Sequence, residues 1–338
     1  MLIVVGSYNQ DLVWRTPRFP KAGETRTGFF SQSPGGKGFN QAVAAHRLGG
    51  IALFIAAIGD DALGGLAMQT AEHEGLRCAW QECAGAATGN AAIWLNADGQ
   101  NQILVDLAAN RLLSPMHISS HAEDIRHARI LLLQQEAAIA ASITALHLAK
   151  KAGVRCIVNP APASEDAAEL HALADILSPN ESEFAALLQA HGEDVTAESI
   201  AQRNAAALHA LARKLPCPDT VITLGARGAV LSTPYGFTEF APPKVSVNDT
   251  TGAGDVDLAA PVKPAAGAPT AAIDALVEAR LRTKGLRPVA EADRRTLARR
   301  LMEDPDPQLR NSLKEMLFDG EIFRWQRLDN LISSAASG

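Results

Sequence analysis

Residues 249–255, with the sequence DTTGAGD, combine small residues with a closing carboxylate in a pattern that suits chemistry on a phosphate. Gly252 and Gly254 let backbone N–H groups approach an anion closely, and a helix beginning there would add the positive end of its dipole. Asp255 would then lie beside the anion, where a carboxylate can accept the proton of an attacking hydroxyl. A glycine turn capped by an aspartate is the simpler interpretation of the same residues.

The stretch GGKGFN at residues 35–40 is rich in glycine, but no Ser or Thr follows its lysine and its spacing is not that of a Walker P-loop. Small glycines beside Lys37 and Asn40 suit a polyol ligand, which needs several short hydrogen bonds. A plain turn from a loop into a helix explains the pattern equally well.

Two further motifs follow predicted strands. In PNESE, Asn180 and Glu183 are three positions apart and share one helical face, where an amide and a carboxylate can hold the waters of Mg²⁺. In TLGARG, Thr223 and Gly225 are placed to contact phosphate oxygens. The structural alternatives are a helix-capping pair for the first motif and a β-turn for the second.

These motifs lie within a regular alternation of strands and helices. Apolar runs such as LIVVG, IALFIAAIG and RILLLQ are typical of buried strands, and stretches such as 137–152 are predicted helices. The alternation predicts a parallel sheet covered by helices on both faces, with ligands at the carboxyl ends of its strands. Residues 11–33 and a hairpin over 90–106, turning at Asp98-Gly99, predict a small second β layer, which is either a lid over a substrate or a plain edge hairpin.

Taken in order, the motifs resemble the signatures of the ribokinase-like (PfkB) carbohydrate kinase family over residues 2–255. GSYNQD followed by GGKGFNQAVAAHRLGG resembles the first family signature, and DTTGAGD resembles the second. AAIGDDALG, NPAPA and SPNESE are similar to the ribokinase branch. The resemblance implies a layered α/β fold with a mainly parallel central sheet and a small β-sheet lid. It also implies ATP-dependent phosphorylation of a sugar hydroxyl, with ribose converted to ribose 5-phosphate as the favoured reaction.

The resemblance also implies a role for each matching residue. The residues expected to bind the sugar are Asp11, Gly36, Lys37, Asn40 and Glu136. The expected catalytic residues are Asp255 as the general base and, as an anion hole, Gly252, Ala253 and Gly254. The residues expected to contact the nucleotide are Asn180, Glu183, Thr223 and Gly225.

The implied cofactors are ATP, Mg²⁺ and a monovalent cation, usually K⁺. Glu183 is expected to hold Mg²⁺ through water, and Asp249 and Thr251 are expected to supply half of the K⁺ site. The implied assembly is a homodimer that pairs through the lid, over residues 11–33 and 90–106. The implied partner is a small sugar.

The pattern changes after Asp255. Here VDLAAPVKPAAGAP stands where the family continues with a long helix that completes the nucleotide site, and Pro261 inside a helix would cost roughly 3 kcal/mol or more. We therefore predict a kinase core over 1–255, an Ala/Pro-rich linker over 256–269, and a helical segment of unknown role over 270–338. We therefore expect the kinase activity to be impaired. The alternative is a non-catalytic sugar-binding protein or a truncated or fused kinase remnant.

Composition restricts the class of protein further. The net charge of −6 argues against a general binder of nucleic acid or anionic membranes, and no stretch approaches the ~18 apolar residues of a membrane span. The N-terminus lacks the basic region of a signal peptide, and the four cysteines are predicted to be free thiols rather than zinc ligands. These features predict a cytoplasmic protein.

Overall fold

The computed structural model of the protein describes residues 1–98 and 100–241. The predicted linker over 256–269 and the predicted helical segment over 270–338 lie outside the described residues, as does Gly99 of the predicted hairpin turn.

The described part of the chain alternates strands and helices in the predicted manner. The strands are β1 (Leu2–Val5), β2 (Asn9–Arg15), β3 (Phe29–Gly35), β4 (Ala52–Gly59), β5 (Arg77–Cys83), β6 (Asn90–Leu95), β7 (Asn101–Asp106), β8 (Ile130–Leu133), β9 (Arg155–Val158), β10 (Ile176–Leu177), β11 (Asp219–Thr223), β12 (Ala229–Thr233) and β13 (Gly236–Phe240). The α-helices are α1 (Lys37–Arg47), α2 (Ala62–Glu74), α3 (Pro115–Ser120), α4 (Ala122–Arg126), α5 (Ile139–Lys151), α6 (Ala168–Leu173), α7 (Glu181–Ala190), α8 (Ala197–Ala201) and α9 (Ala205–Ala212). The 3₁₀ turns are Ala108–Leu112, Glu165–Ala167 and Gly225–Arg227.

The main sheet has nine strands in the order β13-β12-β11-β10-β9-β8-β1-β4-β5. Pairing is parallel from β11 to β5, and β12 and β13 extend the sheet as an antiparallel hairpin. All eight residues of β4 are buried, which is the continuous apolar run expected of a strand covered on both faces. The predicted parallel sheet is confirmed, and the carboxyl ends of β1, β8, β9, β10 and β11 lie along one edge of it.

A second sheet of four strands has the order β3-β2-β6-β7. The β6–β7 hairpin confirms the prediction for residues 90–106, and β2 pairs antiparallel with β3 but parallel with β6. The register places Asp11, Val13 and Ile93 on one face of this small sheet and Trp14 and Trp94 on the other. The predicted second β layer is therefore confirmed.

The glycines before and inside the first turn of α1 allow that helix to press against the end of β1. Gly36 has φ 89°, and a Cβ atom there would lie 2.7 Å from the backbone nitrogen of Asn9. A Cβ atom on Gly38 would lie 2.5 Å from the backbone nitrogen of Ser7 and 2.7 Å from backbone atoms of Gly6. Both positions therefore exclude a side chain, because the opposing atoms belong to the main chain.

No helix in the described ranges 1–98 and 100–241 is both long and apolar enough to cross a membrane. Within the same ranges, no group of three or more His, Cys, Asp and Glu side chains is placed to hold a metal ion. The four cysteines are free thiols, and Cys83, Cys156 and Cys217 are buried.

The contact at Gly38 predicts a large loss of stability on adding one methyl group. We expect Gly38→Ala to lower the free energy of unfolding in urea by about 1–3 kcal/mol, since the backbone of β1 must move away. Gly65→Ala is the matched control, because Gly65 lies in α2 with nothing within 4 Å of an added Cβ atom. That control is expected to gain up to about 1 kcal/mol, and equal effects of the two changes would contradict the close approach.

Candidate functional site

The first turn of α1 is held by groups from the main sheet. The backbone N–H of Lys37 donates to Glu136 Oε2 at 2.9 Å, that of Gly38 to Ser7 Oγ at 3.4 Å, and that of Phe39 to the Ser7 carbonyl at 2.9 Å. Helices normally leave these first N–H groups unpaired, and the preceding residue Gly36 supplies no side-chain cap. The anion-binding end of α1 is therefore already occupied by a carboxylate of the protein itself.

Glu136 lies just after β8, at the carboxyl edge of the main sheet. Its Oε2 also accepts a hydrogen bond from Ser7 Oγ at 2.5 Å, so the carboxylate is held from two elements. A negative charge at the start of a helix is favourable, which helps to keep this side chain in place.

Asp11 approaches the same point from the small sheet. Its carboxylate lies against Gly35, where a Cβ atom would come within 2.5 Å of Asp11 Oδ2. Burial of the side chain, and then the charge of Glu136, raise the pKa of Asp11 to about 6. Asp11 and Glu136 therefore both lie close to the start of α1, one against Gly35 and the other hydrogen-bonded to the N–H of Lys37.

Lys37 and Asn40 complete this group, which we call the carboxylate cluster: Asp11, Gly36, Lys37, Asn40 and Glu136. Lys37 is half-buried as the first residue of α1, and Asn40 follows three positions later on the same side of the helix. The structure thus brings all five predicted sugar-binding residues together. Carboxylate acceptors beside an ammonium donor suit a ligand with several hydroxyl groups.

The second predicted group lies at the start of α7. Asn180 Oδ1 accepts from the backbone N–H of Glu183 at 2.9 Å, and Glu183 Oε2 accepts from the backbone N–H of Asn180 at 2.9 Å. This reciprocal pair is a capping box, the structural alternative that the sequence left open. It also fixes a carboxylate at the positive end of a helix, and the oxygen chemistry of that group fits Mg²⁺ held through water.

Thr223 and Gly225 lie beside that capping box. The backbone N–H of Thr223 donates to the Pro179 carbonyl at 2.9 Å, and its hydroxyl lies 3.5 Å from the same oxygen. Gly225 has φ 52° and begins the 3₁₀ turn after β11. The α7 cluster, as we call Asn180, Glu183, Thr223 and Gly225, therefore spans the neighbouring ends of β10 and β11.

The remaining predicted site residues lie outside the described residues; they are Asp249, Thr251, Gly252, Ala253, Gly254 and Asp255. Their roles remain predictions.

Sequence reasoning missed Ser7 and the buried amides that follow the strands. Ser7 holds Glu136, and Gln134 and Asn159 come directly after β8 and β9 as buried polar residues. The sequence signal that could have identified Gln134 and Asn159 is a polar residue immediately after an apolar strand. Trp14 and Trp94 lie on the face of the small sheet opposite Asp11, so they are not placed to stack on a sugar at the carboxylate cluster.

Comparison with known proteins identifies similar chains. Residues 1–262 match the model of the pfkB family carbohydrate kinases. The chain is 38% identical over 259 residues to ribokinase of Mus musculus, covering 75% of this chain and 78% of that protein. It is 32% identical over 259 residues to deoxyribokinase of Salmonella typhi, covering 75% and 82%. The structure of Arabidopsis thaliana ribokinase complexed with ribose and ATP is similar at a TM-score of 0.63 and 28% identity, covering 89% of this chain and 90% of that one.

The raised pKa of Asp11 predicts that this residue costs the protein stability at neutral pH. Since its folded-state pKa of about 6 exceeds the ordinary 3.8, stability is lost as the pH rises from about 4 to above 6. We expect Asp11→Asn to raise the free energy of unfolding by about 1–2 kcal/mol at pH 8, a range reduced for the partial exposure of the group, and by little at pH 4. Urea unfolding at both pH values tests this, and a difference that does not depend on pH would contradict it.

Proposed function

This chain belongs to the pfkB family of carbohydrate kinases, and we propose that it transfers the terminal phosphoryl group of ATP to the primary hydroxyl of ribose. The observation that carries the proposal is the meeting of Asp11 and Glu136 beside Lys37 at the start of α1. Two carboxylates there would repel a phosphate but accept hydrogen bonds from the hydroxyls of a neutral sugar. The similarity to a ribokinase complexed with ribose and ATP supports the same assignment.

Ribose rather than 2-deoxyribose is the substrate we propose. An ionised carboxylate pair gains from every hydroxyl that donates to it, so a sugar lacking one hydroxyl leaves an acceptor of the carboxylate cluster unpaired. Discrimination against a substrate that lacks a hydrogen-bonding group is large where the site is buried. The deoxyribokinase of Salmonella typhi makes 2-deoxyribose the competing substrate to test.

For the nucleotide we propose the α7 cluster, with Asn180 and Thr223 among its contacts. Asp255 accepts the proton of the primary hydroxyl while the hydroxyl oxygen bonds to the terminal phosphorus of ATP, and the bond from that phosphorus to ADP breaks. The donors of the anion hole, which stabilise the transferring group, are the backbone N–H groups of Gly252, Ala253 and Gly254.

We propose two metal sites. Glu183 holds Mg²⁺ through water, and Asp249 and Thr251 contribute to a K⁺ site. When bound, Mg²⁺ neutralises charge on the phosphate oxygens. The proposed role of Glu183 in holding Mg²⁺ is supported by its place in the capping box, which keeps its carboxylate at the first turn of α7.

A coupled assay of ADP release tests the reaction. We expect ADP to form with ribose at least tenfold faster than with 2-deoxyribose, since the carboxylate cluster would lose a hydroxyl donor. Asp255→Asn should lower kcat by about 10²–10⁴-fold while the ribose Kd measured by calorimetry stays within about threefold. Asp124→Asn, a change on α4 away from both clusters, is the control and should leave turnover unchanged.

Two outcomes would contradict the assignment. Folded protein that binds ribose but releases no ADP with any sugar would favour the alternative, a non-catalytic sugar-binding protein. Unchanged turnover in Asp255→Asn would reject Asp255 as the base.

We also propose that two copies of the chain pair through the small sheet. The face opposite Asp11 exposes large apolar side chains, with Trp14 46%, Phe30 51%, Trp94 39% and Leu104 77% exposed. An apolar face of this kind on a four-stranded sheet is typical of a surface that another protein covers. A second copy of the chain can cover this face with its own identical face, as in a two-fold symmetric dimer.

Sedimentation analysis of the intact protein tests this pairing. We expect the wild-type chain to be a dimer and Leu104→Glu to be a monomer, since a charge within an apolar interface is left without a partner. Tyr235→Glu is the control, because Tyr235 is 99% exposed in the β12–β13 turn of the other sheet. A monomeric wild-type protein, or a Tyr235→Glu monomer, would contradict pairing through the small sheet.

A further inference from the structure

Three buried amide side chains form a hydrogen-bonded chain along the carboxyl edge of the main sheet. Gln134 Nε2 donates to Gln41 Oε1, and Gln41 Nε2 donates to Asn159 Oδ1 at 3.3 Å. Asn159 Nδ2 then donates to the Ser178 carbonyl at 2.8 Å. Every link runs in the same direction, so each amide donates through its nitrogen and accepts through its oxygen, an arrangement in which successive bonds strengthen one another.

This amide chain connects the two clusters of the site. Gln134 lies two residues before Glu136, and Gln41 lies one helical turn after Lys37 on α1. At the other end, Ser178 lies two residues before Asn180 of the capping box. The links therefore join the elements that carry the carboxylate cluster to the element that carries the α7 cluster.

The amide chain is costly for the fold. Gln41 and Gln134 are completely buried, and Asn159 and Ser178 are nearly so. Within residues 1–98 and 100–241, Gln134 Oε1 and Ser178 Oγ are buried without a hydrogen-bond partner. Each such group costs about 1–3 kcal/mol relative to a satisfied one, so apolar side chains of the same size would serve the core better.

We propose that Gln41, Gln134 and Asn159 are positioning residues that hold the sugar-binding and nucleotide-binding clusters in a fixed relation. Phosphoryl transfer depends on in-line alignment of the acceptor hydroxyl with the terminal phosphate, so a small displacement between the clusters lowers the rate steeply. The inference rests on the proposed function, since it names residues that align the two substrates of that reaction.

Gln41→Met is the principal variant, because methionine keeps the length and volume of glutamine and removes both links at the centre of the amide chain. We expect the Kd for ribose and the Kd for ATP each to rise by about five- to tenfold, and kcat to fall by about 10–100-fold. Gln134→Met removes only the first link. It should weaken the binding of both ribose and ATP and lower kcat, but by less than Gln41→Met does.

Three reference variants distinguish positioning from contact and from general loss of stability. Lys37→Met should weaken ribose binding alone, and Asn180→Ala should weaken ATP binding alone. Gln189→Met is the matched control: the Gln189 amide donates to the Val195 carbonyl at 2.6 Å near the end of α7, so a similar bond is lost outside the amide chain. It should change neither Kd nor kcat.

Amide hydrogen exchange of the ligand-free protein gives a readout that does not depend on activity. We expect Gln41→Met to speed exchange by about tenfold at the backbone N–H groups of Lys37 and Thr223, at opposite ends of the site, while Gln189→Met leaves both unchanged. Faster exchange at Lys37 only, or at neither group, would overturn the inference. A Gln41→Met protein with weakened ribose binding but unchanged ATP binding and kcat would overturn it as well.

Failure of the proposed function is distinguishable from failure of the inference. A wild-type protein that neither binds ribose nor releases ADP rejects the function, whereas the exchange rates at the two ends still decide whether the amide chain joins them.

Discussion

The contact between the start of α1 and the end of β1 is the constraint on which the rest of the site depends. Gly36 and Gly38 allow two segments of the main chain to lie so close together that no side chain fits between them. At that distance Ser7 and Glu136 reach the first N–H groups of the helix. The small sheet begins with β2, shortly after β1, and brings Asp11 against Gly35 close to the helix start. The glycine-rich loop could have bound a phosphate, but the carboxylate of Glu136 accepts the hydrogen bond of its N–H group instead.

Electrostatics make this arrangement unfavourable in the empty protein. Burial of Asp11, and then the charge of Glu136, hold the pKa of Asp11 well above the ordinary value. Groups whose pKa values are shifted in this way cluster at functional sites, because the interactions that would relieve them come from a ligand. Sugar hydroxyls are such a ligand, since they donate to carboxylates without bringing further negative charge.

Much of this was predictable from sequence, and the limits have physical reasons. Apolar runs and helical spacing predicted the parallel sheet, the β6–β7 hairpin and α1, because local periodicity follows directly from burial. The motif residues were predicted one at a time, and the fold gathered nine of them into two clusters.

Local patterns could not indicate partners that are distant along the chain. The bond between Ser7 and Glu136 joins residues 129 positions apart, and the link from Gln41 to Asn159 joins residues 118 apart. For Asn180 and Glu183, the structure shows the capping box, and the role of the same pair in holding Mg²⁺ stays a prediction.

The small sheet is joined to the body of the protein by four short peptide segments. Residues 6–8 lead into β2, Gly36 follows β3, residues 84–89 lead into β6, and Leu107 follows β7. A sheet attached through four peptide segments has less freedom to move than a flap attached at a single hinge. The parallel β2–β6 pairing at the centre of the sheet makes its two halves move together.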